Sequence, residues 1–420
     1  MLDSARPWTR EIPLSGSVVQ LHGRVSQGFE PLADTFARNF TERGEAAASC
    51  SVIWKGQEVA HLWGGVVERP DGSTATWDES TVSIIFSATK PATAACIHML
   101  AASGRIDLDA PVAAYWPEFA QNGKQSVSIR MVLDHSAGLP ALRLPLKPDC
   151  LTDHLYMADH LANETPFFKP GMRTAYHPVT GGFLLAELVC RVDGRTLGRF
   201  FSEEIAGPLG LDYWIGLPEA QEPRVALIRA FYPEKGGAST PFGLALRETG
   251  SLQNLFFFNH GTWMSRDVNT PAGRAAEIGA ASGVTNARSL ARFFDALRPG
   301  SGLGLDASTI EGFGNASSAT HLDAMLLQPT RFGPGFMLRM DNRRADGPPA
   351  GDSFRIGFRA FGHVGAGGSF GFRDPERDLS MAYTMTQMGP GFLVNPRGQG
   401  LIDSAYDCIS ALAGQAGRRG

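Results

Sequence analysis

Apolar positions recur at helical spacing over residues 28–44 (FEPLADTFARNFTERGE), which predicts an amphipathic helix. Two alternating runs follow, Ala48 to Trp54 and Glu58 to Trp63, separated by Lys55-Gly56-Gln57. Alternation around a glycine-containing turn predicts an antiparallel hairpin. Residues 87–103 (SATKPATAACIHMLAAS) are small and apolar with helical periodicity, and Gly104 ends them. Pro91 falls in the first turn of that helix, where a missing N–H costs little. From about residue 105 to 270, Gly and Pro punctuate short helical patterns such as Leu151 to Asn163 and Gly181 to Val192. Residues 286–298 give another amphipathic helix, and 401–414 a closing one. Between them, residues 353–387 alternate β-branched and aromatic positions around Asp374-Pro375-Glu376-Arg377-Asp378, a turn joining two strands.

Strands near both termini with helices between them predict an α+β fold. Its antiparallel sheet, flanked by helices, comes from residues 1–105 and 275–420, and a mostly helical domain of residues 106–274 is inserted. The active site is expected between the two.

Composition narrows the function classes. Hydrophobic residues are 43% and charged residues 19% of 420, a folded globular balance. A net charge of −4 gives no broad attraction for nucleic acid or an anionic membrane. No apolar run reaches a bilayer's span, and Met1 to Arg10 lacks an apolar signal region, so a cytoplasmic protein is expected. The five cysteines, Cys50, Cys96, Cys150, Cys190 and Cys408, show no paired spacing for a disulfide framework or a zinc site. Only six residues are lysine, so any lysine with a chemical role comes from a short set.

One of them is Lys90, in Ser87-Ala88-Thr89-Lys90. Positions i and i+3 share a helix face, which puts the amine beside the hydroxyl. A serine hydroxyl is a poor nucleophile until a base takes its proton, and a buried lysine with a lowered pKa can serve. The helix start adds a backbone N–H and a positive field where an oxyanion would form. The apolar Val82-Ser83-Ile84-Ile85-Phe86 before it would bury and fix that helix start.

This motif resembles the S-x-x-K of class C β-lactamases, penicillin-binding proteins and family VIII carboxylesterases. Further stretches are similar in order: Gly104 to Val112, Leu133 to Pro140 (LDHSAGLP), Phe168 to Tyr176 (FKPGMRTAY) and Pro208-Leu209-Gly210. The resemblance implies that Tyr176 exchanges protons with Ser87 and Lys90. It also implies that His363-Val364-Gly365 stands where the lactamases carry K-T-G, and that the N–H groups of Ser87 and Ala366 hold the oxyanion. The family pattern Y-x-N is Tyr176-His177-Pro178 here, so the asparagine that helps hold a lactam amide is missing. A histidine also lacks the permanent charge that a lysine offers a substrate carboxylate. Both departures favour a small-molecule ester, with Gly365 letting the strand approach it. The apolar stretch Leu252 to Trp263 is a candidate lining for the acyl or alcohol pocket.

Gly367-Gly368-Ser369-Phe370-Gly371 also fits G-x-S-x-G, but that elbow needs a helix after the serine and a later histidine. A turn follows instead, and no histidine occurs after His363, so Ser369 reads as structural. The ten histidines show no H-E-x-x-H and there is no phosphate-binding loop, so neither a metal nor a cofactor is expected. Alternative readings on the same scaffold are an acyltransferase and a β-lactamase or D-amino-acid peptidase. A non-catalytic binding protein is a third.

Overall fold

Every residue of strand Ala47–Trp54 and of strand Leu379–Met385 is buried, so both must lie mid-sheet with packing on two faces. In the computed structural model, which describes residues 4–14, 17–232, 240–259, 263, 266–343 and 352–416, they are paired antiparallel with Tyr383 opposite Cys50. We number the strands in chain order. They are β1 (Arg6–Leu14), β2 (Ser17–Val25), β3 (Ala47–Trp54), β4 (Gln57–Glu68), β5 (Thr74–Thr76), β6 (Ser83–Ile84), β7 (Tyr213–Ile215) and β8 (Gly283–Thr285). After them come β9 (Ser318–Thr320), β10 (Thr330–Gly333), β11 (Phe336–Leu338), β12 (Phe361–Val364), β13 (Phe370–Asp374) and β14 (Leu379–Met385).

The main sheet runs β1-β2-β4-β3-β14-β13-β12-β11-β10-β9, with β5 paired to β4, and its pairs are antiparallel. The fold class is therefore α+β, with strands from both ends of the chain in one sheet. The sequence pattern predicts no element over the edge hairpin β1–β2, which precedes the first expected helix. Within β1 Ile12 is buried while Arg6, Pro7, Glu11 and Pro13 are exposed, and prolines belong on such an edge. The Asp374–Asp378 turn forms as expected, with Asp374 Oδ1 accepting the N–H groups of Glu376 and Arg377 at 3.0 and 3.3 Å.

Three helices cover the sheet. Glu30–Glu42 packs against Pro396–Ala416, and Ala287–Ala296 lies on β3, β13 and β14. The closing helix starts five residues before the expected 401, because Asn395 caps it. Among the described residues between β6 and β8 the regular elements are helices and loops join them, β7 excepted, and these three short strands form a second sheet in the order β6-β8-β7. Among the described residues, no helix is long and apolar enough to cross a membrane.

The expected helix over 87–103 divides in two. Phe86–Thr89 is a 3₁₀ turn, and the α-helix proper is Lys90–Ala102, buried along nearly its whole length. Phe86 stands at φ 48°, a left-handed conformation that only the surrounding packing can enforce on an aromatic residue. Its ring meets Trp263 edge-on at 6.5 Å.

Candidate active site

Four segments converge on the turn that carries Ser87. The start of β8 and the residues before it supply the first: Ile85 N–H donates to Gly283 O at 2.9 Å, and Thr89 Oγ1 accepts from Gly283 N–H at 2.8 Å. Thr93 Oγ1 donates to Gly279 O at 2.6 Å, so the backbone of 279–283 is bound along the nucleophile-side face of the Lys90 helix. The end of β12 supplies the second. A Cβ on Gly365 would lie 2.0 Å from Ile85 O and 3.5 Å from Ala88 N, so only glycine lets the strand close on this turn. Residues 176–178 and the loop at 135–139 supply the others.

Lys90 is buried, and its Nζ has three oxygen neighbours: Ser87 Oγ at 3.1 Å, Pro178 O at 2.8 Å and Ala280 O at 3.0 Å. No carboxylate is among them. Burial pushes its pKa well below the ordinary lysine value, because no opposite charge offsets the lost hydration of an ammonium. A neutral amine satisfies the same geometry: its two N–H groups donate to the two carbonyls, and its lone pair faces Ser87 Oγ. Pro178 thus contributes a backbone acceptor at the position where the asparagine of the Y-x-N pattern is missing.

The Tyr176 ring lies 4.7 Å from Lys90 Nζ, and its hydroxyl has Ser87 as hydrogen-bonding neighbour. Burial raises the phenol's pKa, so the resting group holds its proton. Its backbone is fixed by Asp323: both carboxylate oxygens lie 3.0 Å from Tyr176 N. The same carboxylate accepts from Met325 N–H, Leu326 N–H and Thr330 Oγ1. On the other side His135, at φ 66°, meets the Tyr176 ring edge-on at 4.8 Å and accepts His177 N–H on Nδ1 at 3.2 Å.

His363 is buried on β12, its ring 6.0 Å from that of Tyr176. Its Nδ1 lies 2.7 Å from Val364 O, which makes Nδ1 the protonated nitrogen. Nε2 is then a bare acceptor, buried and without a partner among the described residues. Burial pushes the imidazole down to about 3, so it stays neutral. Ser87 and Ala366 are part-exposed while Lys90, Tyr176 and His363 are buried, so the serine faces solvent with its partners behind it.

Sequence reasoning on residues 87, 90, 176, 363, 365 and 366 names groups that the structure brings together. It misses Asp323, His135, His177 and the carbonyls of Pro178 and Ala280. Of the stretch Leu252 to Trp263, residues 260–262 lie outside the described ones. The rest begins as a helix, Leu252–Asn259, whose Gln253 donates to Ala324 O and Met325 O beside Asp323. Ser369, on the turn after β12, is fully buried and its Oγ has no partner among the described residues. One cluster of possible metal ligands occurs among the described residues: His154, Glu187 and Cys190, within 4.8 Å of one another. There the glutamate is already engaged by His154 at 2.8 Å and by Arg191 at 2.6 Å, a cation that opposes another.

Comparison with known proteins identifies the family. The β-lactamase family model matches residues 32–403. The esterase/β-lactamase LipL of Mycobacterium tuberculosis is 33% identical over 413 residues, covering 96% of this chain and 90% of that protein. Among solved structures, a penicillin-binding protein homologue from Caulobacter crescentus is similar at TM-score 0.77 and 31% identity, covering 92% of this chain and 99% of that one. A family VIII carboxylesterase is similar at TM-score 0.74 and 32% identity, with 92% and 99% covered.

Proposed function

The chain belongs to the β-lactamase family, and from that premise we propose that it is a serine esterase whose nucleophile is Ser87, acting on small to medium carboxylic esters. The observation that carries the assignment of roles is the placement of Lys90 Nζ. Two carbonyls take its N–H groups and its third direction meets Ser87 Oγ at 3.1 Å.

In the first half-reaction the Ser87 proton passes to the Lys90 amine as Oγ bonds to the ester carbonyl carbon. The carbonyl π electrons move to its oxygen, which the N–H groups of Ser87 and Ala366 receive. The C–O bond to the alcohol then breaks, and the alcohol takes the proton back through the Tyr176 phenol from the Lys90 ammonium. That leaves the acyl group on Ser87 and a neutral lysine. Water repeats the sequence, giving up its proton as it attacks and restoring the Ser87 hydroxyl as the acid departs.

The neutral His363 favours esters without an essential carboxylate, since its Nε2 lone pair would oppose one. The five cysteines are free thiols, which suits a cytoplasmic location. A second reading, β-lactam hydrolysis as a slower side activity, is favoured by the double name of the Mycobacterium tuberculosis relative.

Hydrolysis of short p-nitrophenyl esters by wild type and Ser87→Ala, with a chromogenic cephalosporin in parallel, tests the assignment. Ester cleavage that vanishes in Ser87→Ala, with a slow cephalosporin, is the expected result. A cephalosporin cleaved faster than any ester would make the second reading the principal one.

A further inference from the structure

The glycine-rich stretch that mimics a hydrolase elbow has a different use in this fold. Gly365 O accepts Gly368 N–H at 3.0 Å, and Gly367 stands at φ 85°, ψ −12°. These are the marks of a type II turn over 365–368, which requires a residue tolerant of positive φ at its third position. A Cβ on Gly367 would also lie 2.7 Å from Met388 Cγ. The turn fixes one peptide plane that matters. Because the peptide is trans, the Gly365 carbonyl that points into the turn leaves the Ala366 N–H pointing out of it.

What holds the turn is distant in sequence. Asn395 Nδ2 donates to Gly367 O at 2.9 Å, and Gly389 N–H donates to the same oxygen at 2.9 Å. A Cβ on Gly368 would lie 2.3 Å from Asn395 Nδ2, so the asparagine amide packs directly on the turn. Its other atom is committed too: Asn395 Oδ1 accepts Arg397 N–H at 3.1 Å and Gly398 N–H at 3.3 Å, capping the closing helix. The side chain is buried and cannot turn without breaking one end.

We infer that Asn395 is a positioning residue for ester hydrolysis: its amide ties the 365–368 turn to the start of the closing helix and so sets the direction of the Ala366 N–H in the oxyanion site. The inference rests on the esterase reading above. Asn395 touches neither Ser87 nor substrate, so its loss should affect the transition state and leave substrate binding nearly unchanged.

Asn395→Asp keeps the cap oxygen and removes the donor to Gly367 O; Asn395→Ser does the same without a charge. Each is compared with wild type on p-nitrophenyl butyrate and on the matching thionoester, in which sulfur replaces the carbonyl oxygen. Sulfur is larger and a weak acceptor, so the ester-to-thionoester rate ratio reports how well the oxyanion site fits oxygen. A kcat lower by about tenfold, KM within about twofold, and a reduced ester-to-thionoester ratio in either folded variant are expected, a loss below that of deleting an oxyanion donor outright. An unchanged ratio, whether or not kcat falls, overturns the inference, because a merely structural role slows both substrates alike. The Ser87→Ala control separates this from failure of the esterase reading. If Ser87→Ala still hydrolyses the ester, that reading falls, and the inference with it. If it does not, the ratio alone decides.

Discussion

Two buried lysines, Lys90 and Lys124, lie in different parts of the molecule and have much in common. Each donates to a backbone carbonyl, Pro178 and Ala280 for one and Glu164 for the other. Each lies over an aromatic ring, Tyr176 at 4.7 Å and Phe119 at 5.2 Å. Burial lowers both, Lys124 to about 8 and Lys90 well below its usual value. The difference is in what else they meet. Lys90 has a hydroxyl at 3.1 Å and a phenol behind it, whereas beside Lys124 lie an apolar ring and the Glu164 charge that draws its pKa back up. A perturbed lysine becomes a base only where an O–H stands at its lone pair, and only one of these two sites provides that.

Removing the amine from each site breaks the comparison most sharply. Lys90→Met should lower kcat/KM on p-nitrophenyl esters by at least about 10³-fold, as for loss of a nucleophile's base. Lys124→Met should leave kcat/KM within about twofold and be seen only in thermal unfolding. Equal losses in the two variants would mean that the geometry around Ser87 has been given the wrong role.

Tyr176→Phe is the next largest effect. It makes the ring beside Lys90 chemically like Phe119, leaving the amine and the packing and deleting the phenol. We expect a fall in kcat of about 10²-fold, within the usual range for one proton-transfer group, with KM little changed. An active Tyr176→Phe would place the proton path entirely on Lys90.

The pH dependence of kcat/KM follows from the Lys90 shift. The reactive form is the neutral amine, so activity is lost as pH falls and the lysine takes a proton. Because the folded pKa is lowered, that acid limb should lie well below the ordinary lysine value of about 10.4. Activity at neutral pH is therefore expected, and a limb near 10 would show that Lys90 is hydrated during turnover.

How much of this was legible in the sequence depends on the kind of contact. Ser87 and Lys90 are three residues apart in one turn, so their meeting is local and readable. Tyr176 and His363 are far away and were placed by their resemblance to family motifs, not by spacing. The carbonyls of Pro178 and Ala280 carry no side-chain signature, since any residue offers a C=O, and only the folded backbone aims them at Nζ. Asp323 is a lone acid between Leu322 and Ala324, and its link to Tyr176 spans 147 positions. The same holds for the fold. The β3–β4 hairpin alternates visibly, whereas in β1 four of the exposed positions are Arg6, Pro7, Glu11 and Pro13, which carry no strand signal. The left-handed Phe86 that opens the turn before the nucleophile helix is imposed by its neighbours and runs against its own preference.

The smallest expected effect sharpens the same lesson with serines. Ser369 lies within a more familiar hydrolase pattern than Ser87 does, and it is the more deeply buried of the two. Its backbone oxygen accepts Gly365 N–H at 2.6 Å, but its hydroxyl has no partner among the described residues and no base beside it. Removing a buried unpaired hydroxyl relieves a desolvation cost of about 1–3 kcal/mol while leaving a space the size of one oxygen. Ser369→Ala should therefore keep kcat/KM within about twofold and unfold at the same temperature as wild type or slightly higher. A large loss of activity would mean that the hydroxyl reaches the Ala366 side of the site during turnover. A loss of stability would mean that it is hydrogen-bonded after all. If neither occurs, the serine is present for its backbone and its size, and the motif around it reflects the glycines that the turn requires.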